Sequence, residues 1–274
     1  MRKLKENILK LLVYLSVLFT ISTLVLIVGY IFIKGIKGIN LSFLFSDYSA
    51  SGDGGILPMI ITTLYTVALS ILIATPIGVL SAIYLQEYAK KGKIVTCIRF
   101  ATESLAGIPS IIYGLFGGIF FVVTLGMKYS ILSGSLTVAI IILPVIIRTT
   151  EEALKTVPQA YREASLALGS TKFQTLYKVT LPSAIPGILS GIILSVGRVI
   201  GESAAILLTA GTVAQMPGGI FDSARTLTVH AYLLTKENGD IQGAASIGIV
   251  LIVIVLLLNT MARLVAKKLN KANC

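Results

Sequence analysis

The chain has 274 residues, of which 55% are hydrophobic and 13% charged, and its mean hydropathy is +0.91. Soluble globular domains carry roughly a quarter charged residues, so this composition excludes an ordinary soluble domain and indicates a membrane protein. The formal net charge of +11 could also suggest a nucleic-acid partner, and the placement of the basic residues along the chain decides between the two.

Six apolar runs are long enough to cross a membrane, which takes about 20 mostly apolar residues in a helix. They lie at 11–33, 59–82, 107–126, 131–149, 187–210 and 244–265. The runs are continuous and do not alternate between apolar and polar residues, so they predict helices rather than a transmembrane β-barrel. The first run is too long for a signal peptide and has no small-residue cleavage site, so we expect it to stay as an anchor. The prediction is an all-α, polytopic membrane bundle of six transmembrane helices, with residues 1–274 as one domain.

Most of the 23 basic residues fall on one side of these spans, near the two ends of the chain and in two of its loops. Those on the other side are Lys34, Lys37, Lys128, Arg225 and Lys236. Basic residues favour the cytoplasmic side of a membrane, so both termini are expected in the cytoplasm. The positive charge then reflects the orientation of the chain in the membrane. Membrane lipid is an expected partner, and nucleic acid is not.

The cytoplasmic segment at about 150–186 predicts two short helices. Pro158 suits the first turn of the first helix, where its missing amide hydrogen has no partner. The residues that then share one helix face are Tyr161, Ala164 and Leu168. Gly169 is placed as the stop, because glycine adopts a left-handed backbone at little energetic cost.

The second short helix is expected to begin at Thr171, which with Gln174 fits a capping box. Its apolar face consists of Phe173, Leu176 and Tyr177. Leu181-Pro182 should end it, because a proline disfavours helical geometry in the residue before it. Two amphipathic helices at a sharp angle would form a protrusion whose apolar groups need a partner surface.

This segment resembles the EAA loop of ABC-importer permeases, which has a Glu-Ala-Ala-type triplet, a following Gly and a Leu-Pro ending. The residues on the motif positions are Glu163, Ala164, Gly169, Leu181 and Pro182. The chain departs from the pattern at Ser165, at Val179 and at Leu168, a position that is often polar in the family. In that family the loop docks on a separate ATPase subunit, so the resemblance implies a type I permease fold and an ATPase-coupling role for the motif residues. A simple connecting loop is the alternative.

No Gly-x-x-x-x-Gly-Lys-[Ser/Thr] phosphate loop occurs in the sequence. We therefore expect that the chain is not an enzyme and binds no cofactor, and that ATP is hydrolysed by the partner ATPase.

Two charged residues, Arg198 and Glu202, fall inside the fifth apolar run. An Arg in mid-membrane costs on the order of 3 kcal/mol, so Arg198 should face the bundle interior or a water-filled path. Glu202 follows four residues later, on the same face of a continuous helix. Two interpretations stay open. One is a structural ion pair, and the other is a substrate path in which Arg198 binds an oxyanion.

The stretch Gly197–Ala204 looks like phosphate-importer permeases, which carry an Arg-x-x-Gly-Glu-Thr/Ser-Ala signature. Two further stretches with the same likeness are Gly54–Pro58 and Ala106–Gly117. The compact length fits the PstA-type subunit better than the larger PstC-type. The resemblance implies a PstC-type permease partner, two copies of an ATPase, an extracytoplasmic phosphate-binding protein, and a multi-pass location in a prokaryotic plasma or inner membrane. Importers of another oxyanion, such as sulfate or molybdate, are the alternative.

The remaining candidates suggest no further chemistry. Glu103 is expected to face water or Arg99, and His230 to lie on the surface of a helix in an external loop at about 211–243. Cys97 and Cys274 have no metal or redox spacing, and Cys97 is expected to pack as a small residue. With a single His, neither a metal site nor a catalytic triad is expected. An intramembrane enzyme is therefore disfavoured, and a scaffold without transport would not need Arg198.

Overall fold

The computed structural model describes residues 2–49, 54–90 and 92–272, and these residues form helices and connecting turns without a β-strand. The long helices are α1 (Arg2–Gly35), α3 (Leu57–Ile83), α6 (Ile131–Lys155), α9 (Leu181–Gly201) and α12 (Ile241–Ala272). The shorter helices are α2 (Leu41–Phe45), α4 (Lys93–Ala106), α5 (Ser110–Gly117), α7 (Gln159–Ala167), α8 (Lys172–Thr175), α10 (Ala204–Leu207) and α11 (Leu227–Asn238). A 3-10 turn follows α1 at Ile36–Gly38, and π-helical turns follow α3, α5 and α8 at Tyr84–Tyr88, Gly118–Thr124 and Leu176–Thr180.

Five of the six predicted spans are helices long and apolar enough to cross a membrane. The third is different. The chain turns by 100° between α4 and α5, as the Gly107–Ser110 segment predicted. After the turn, α5 has 8 residues and its π-helical extension 7, fewer than the roughly 20 residues of a straight crossing. Pro109, with an extended backbone (ψ 138°), separates α4 from α5. The structure therefore has five candidate spans, or the predicted six if the bent pair of helices crosses the membrane as one span.

The core of the bundle is α6, of whose most apolar stretch 61% is buried. Glycines on α3 and α9 allow these two helices to pack closely against α6. A Cβ at Gly78 of α3 would lie 2.7 Å from Cγ2 of Ile146, and a Cβ at Gly187 of α9 would lie 2.5 Å from Cβ of Ala153. Small residues at such contacts let membrane helices pack by van der Waals contact. The helices α3, α6 and α9 therefore pack closely together as the centre of the bundle.

By contrast, α1 lies at the edge of the bundle, and none of its most apolar stretch is buried. It is attached near its carboxyl end, where Ser246 Oγ of α12 donates a hydrogen bond to the Gly35 carbonyl at 2.7 Å. Gly35 is needed there, because a Cβ would meet the Ala245 backbone at 2.5 Å. The rest of α1 is available to lipid or to a neighbouring protein.

Candidate functional site: the coupling loop and the substrate path

The first helix of the EAA-like coupling loop is α7. Pro158 lies immediately before it, with ψ 134°, one position earlier than predicted. The helix ends at Gly169, whose φ is +84°, so the predicted left-handed glycine stop is confirmed. The amides of Leu168 and Gly169 donate to the carbonyls of Ala164 and Leu166 at 3.1 and 3.0 Å, which satisfies carbonyls that the helix end leaves open.

The second helix, α8, begins with the predicted capping box. The Gln174 amide donates to Thr171 Oγ1 at 3.2 Å, and the Thr171 amide donates to Gln174 Oε1 at 2.9 Å. The hydroxyls of Ser165 and Thr175 lie 3.0 Å apart and join α7 to α8. This contact fixes the angle between the two short helices.

Pro182 does not end this helix, and that prediction was wrong. The helix α8 continues through the π-helical turn at Leu176–Thr180 into α9, with Pro182 in the first turn of α9. In the π turn the Leu181 amide donates to the Leu176 carbonyl, five residues back. The wider turn makes room for the proline ring, which in a regular α-helix would clash with the carbonyl four residues back. The coupling loop is therefore continuous with a membrane-spanning helix.

The loop presents a group of exposed apolar side chains. Leu168 is 88% exposed, and Phe173 and Tyr177 stack with ring centroids 6.4 Å apart while remaining about two-thirds exposed. Leu176, predicted on the same face, is instead buried. Glu163 is exposed and accepts a hydrogen bond from Gln159 at 2.8 Å. Exposed apolar side chains are what an interaction surface requires, and the role of this loop as an ATPase contact stays a prediction.

Within the fifth predicted span, the helix ends before Glu202. The α9 helix stops at Gly201, and Glu202 has an extended backbone with ψ 128°. The Ile200 carbonyl at this end accepts a hydrogen bond from the Thr228 hydroxyl of α11 at 2.5 Å. The chain leaves the helical path here, so Arg198 and Glu202 do not share a helix face.

The Arg198–Glu202 ion pair was therefore a wrong expectation. The Glu202 carboxylate is buried and accepts from the Ala205 amide at 3.1 Å, at the start of α10. Arg198 is exposed on α9, and within the described residues no carboxylate lies at ion-pair distance from it. Arg198 is thus free to contact a substrate or a second subunit, and its role in a substrate path remains a prediction.

Sequence reasoning missed a charged cleft between α4 and α6. Arg99 Nε lies 3.4 Å from Glu151 Oε2, so its partner is Glu151 and not Glu103. Glu103 is exposed, which agrees with the expectation that it faces water. The cleft has a volume of about 250 Å³, and Arg148 also lines it. No spacing in the sequence indicated this pairing, because it depends on how α4 folds back on α6.

In the 211–243 loop, predicted to be external, His230 is 3% exposed, so the expectation of a surface residue was wrong. It lies edge-on to Tyr48 with ring centroids 5.6 Å apart, and Arg225 lies 4.7 Å from the same ring. Burial, with a smaller contribution from Arg225, lowers the pKa of His230 to about 4. The predicted external helix is confirmed as α11, which packs into the bundle through Leu227.

The remaining predictions concern the cysteines and the possible metal ligands. Cys97 is exposed, against the expectation that it packs, and Cys274 lies outside the described residues. Within the part of the chain that the structure describes, no three His, Cys, Asp or Glu side chains are grouped as a metal site would require.

Residues 74–271 match the family of binding-protein-dependent transport system inner membrane components. The chain belongs to this family. The permease is 37% identical over 252 residues to the probable ABC transporter permease protein YqgI of Bacillus subtilis, covering 86% of each chain. It is 32% identical over 283 residues to the phosphate transport system permease protein PstA of Yersinia pestis, covering 97% of this chain and 92% of the relative.

Solved structures show the same fold. The permease superposes on a chain of a bacterial alginate ABC transporter with a TM-score of 0.70 at 17% identity, covering 95% of both chains. On a chain of the MetNI methionine ABC transporter the TM-score is 0.60 at 21% identity, covering 78% of this chain and 94% of the other. These likenesses confirm the predicted ABC-importer permease fold in a multi-pass membrane protein. The relatives named above are permease proteins of transport systems.

Proposed function

We propose that the chain is the PstA-type permease subunit of an ATP-driven importer of inorganic phosphate. The main support for the proposal is the match to the phosphate permease of Yersinia pestis, which covers 97% of this chain and 92% of the relative. A match of that extent includes the coupling loop, α9 and the external loop together. The phosphate transport system permease protein PstA of Mycobacterium leprae is also similar, at 32% identity over 263 residues.

The proposed partners follow from this assignment. They are a PstC-type permease, two copies of an ATPase that binds and hydrolyses ATP, and an extracytoplasmic phosphate-binding protein. The exposed face of α7 and α8 is the proposed ATPase contact, with Glu163, Ala164, Gly169, Leu181 and Pro182 as its motif residues. This chain then binds no cofactor of its own.

The continuity of α8 with α9 supports a mechanism for coupling. Between Lys172 and Gly201 the chain is helical without interruption, and Arg198 lies near the far end. At 1.5 Å per residue, about 40 Å separates the loop from Arg198. A movement of α8 imposed by the ATPase would therefore tilt α9 and move Arg198 within the membrane. An exposed guanidinium on that helix suits a phosphate oxyanion, which it can bind with two parallel hydrogen bonds.

Phosphate uptake in cells lacking this chain tests the proposal. Returning the gene should restore uptake of labelled phosphate, and an excess of sulfate or molybdate should not compete. Restored sulfate or molybdate uptake, with phosphate uptake unchanged, would show that the alternative cargo is correct. No change in the uptake of any oxyanion would reject the importer assignment.

A further inference from the structure

Arg162 joins the coupling loop to the core of the bundle. It lies in α7, directly before the motif residue Glu163, but its side chain points back toward the membrane domain. Its Nη1 lies 2.8 Å from Glu87 Oε1, and its Nη2 donates to the Leu154 carbonyl at 2.8 Å. The Arg162 and Glu87 side chains are only 22% and 18% exposed. The contact is thus sheltered from solvent, unlike a typical surface ion pair.

The two partners of Arg162 belong to the two central helices. Glu87 lies in the π-helical turn that extends α3, and Leu154, in the last turn of α6, is fully buried. The α3 and α6 helices are in close contact at Gly78 and Ile146, so they respond to a displacement together. One guanidinium therefore connects α7 to both of them at once.

The chemistry of arginine suits this position. Its planar guanidinium has separate donors that can engage a carboxylate and a carbonyl in different directions, whereas a lysine ammonium acts as a point charge. The neighbouring Glu163 does not make this connection, because its side chain is exposed and accepts a hydrogen bond from Gln159 within α7. Besides Arg162, α7 is joined to the rest of the chain through the Thr156–Pro158 turn, through α8 and through packing on the π-helical turn at Leu176–Thr180.

We propose that Arg162 is a positioning residue that transmits movement of the coupling loop to α3 and α6 through Glu87 and the Leu154 carbonyl. The ATPase would then move the bundle by two connections, α8 into α9 and Arg162 into α3 and α6. This inference rests on the proposed function as an ATP-driven permease. It does not depend on which anion is carried.

The test compares variants in the complete complex reconstituted in proteoliposomes. The single variants are Glu87→Gln and Arg162→Gln, and the exchange variant combines Glu87→Arg with Arg162→Glu. The control is Glu6→Gln, which removes an exposed ion pair with Lys10 within α1 (2.9 Å, side chains about 60% exposed). Substrate uptake, ATP hydrolysis and its stimulation by the loaded binding protein are measured on the same samples, together with co-purification of the ATPase.

We expect each single variant to assemble normally and to lower uptake per ATP about fivefold, equivalent to about 1 kcal/mol of coupling. The exchange variant should recover part of this loss, because it restores the charge attraction but not the hydrogen bond to Leu154. The control should match the unmodified complex. Unchanged uptake per ATP in both single variants would overturn the inference. So would an exchange variant that lost the ATPase, since Arg162 would then contact the ATPase directly.

The two proposals fail differently. If the unmodified complex hydrolyses ATP but carries no phosphate, the phosphate assignment fails. The role of Arg162 is then still decided by whether the single variants lower the stimulation of ATP hydrolysis by the loaded binding protein and the exchange variant restores it.

Discussion

Replacing Gly169 by valine should disrupt the coupling loop through its backbone alone. Gly169 has a φ of +84°, and a Cβ built there meets no atom within 4 Å. The penalty is therefore that of placing an L-residue in the left-handed region, about 1–2 kcal/mol, without an added clash. A penalty of that size lowers the population of the native loop conformation by a factor of about 5–30.

Because the loop is exposed, we expect this loss to appear as poor coupling and not as unfolding of the bundle. Phosphate uptake per ATP hydrolysed, measured in proteoliposomes containing equal amounts of complex, should fall by a similar factor. The matched control is Gly169→Asn, since asparagine tolerates the left-handed region better than other side chains. It should retain most of the coupling.

Two results would refute the reasoning. If the valine variant couples normally, the left-handed turn is not needed for the function of the loop. If the asparagine and valine variants lose coupling equally, the requirement at Gly169 is for small size against a partner and not for backbone conformation.

Three further variants test other parts of the molecule. Gly78→Val should lower stability to unfolding in detergent by about 1–3 kcal/mol, because the new side chain would press on Ile146 and separate α3 from α6. His230→Asn should reduce the acid sensitivity of the fold. The unfolded chain takes up a proton near pH 6.5, whereas folded His230 stays neutral down to about pH 4, so this residue should withdraw about 2 kcal/mol of stability between pH 7 and pH 5. Arg198→Gln should abolish phosphate uptake while the complex still assembles, as judged by co-purification.

Two of these variants have matched controls, and each has a result that would contradict it. Gly29→Val adds a side chain where no neighbour lies within 4 Å, so it should leave stability unchanged where Gly78→Val does not. An unaltered slope of stability against pH in the His230 variant would show that the residue is not buried as a neutral base. Loss of assembly in the Arg198 variant, with Arg263→Gln assembling normally, would assign Arg198 a structural role.

Local backbone features were predictable from the sequence, because a few neighbouring residues determine them. The glycine stop at Gly169 and the capping box of Thr171 depend on residue types within a single turn, and both are present. Five of the spans were predictable for a similar reason, since a long apolar run must be buried in lipid or protein whatever its neighbours are.

Features that depend on distant parts of the chain were not predictable. The spacing of Arg198 and Glu202 implied a shared face only if the helix continued, but α9 ends at Gly201, where the Thr228 hydroxyl donates to the Ile200 carbonyl. Arg99 has a carboxylate four residues away at Glu103, yet it pairs with Glu151 because α4 folds back on α6. The π-helical turn before Pro182 also lies outside rules that are based on regular helices.

The attachment of α1 to α12 constrains how the protein is made. Ser246 and Gly35, which the hydrogen bond joins, are 211 residues apart in sequence. At about 5–20 residues per second of synthesis, roughly 10–40 s pass between the completion of the first helix and the arrival of its docking site. During that interval α1 must wait in the bilayer without its partner on this chain. The most apolar stretch of α1 is not buried by the rest of the chain, so it can stay in contact with lipid during that interval. The first helix to be inserted is then among the last to be packed.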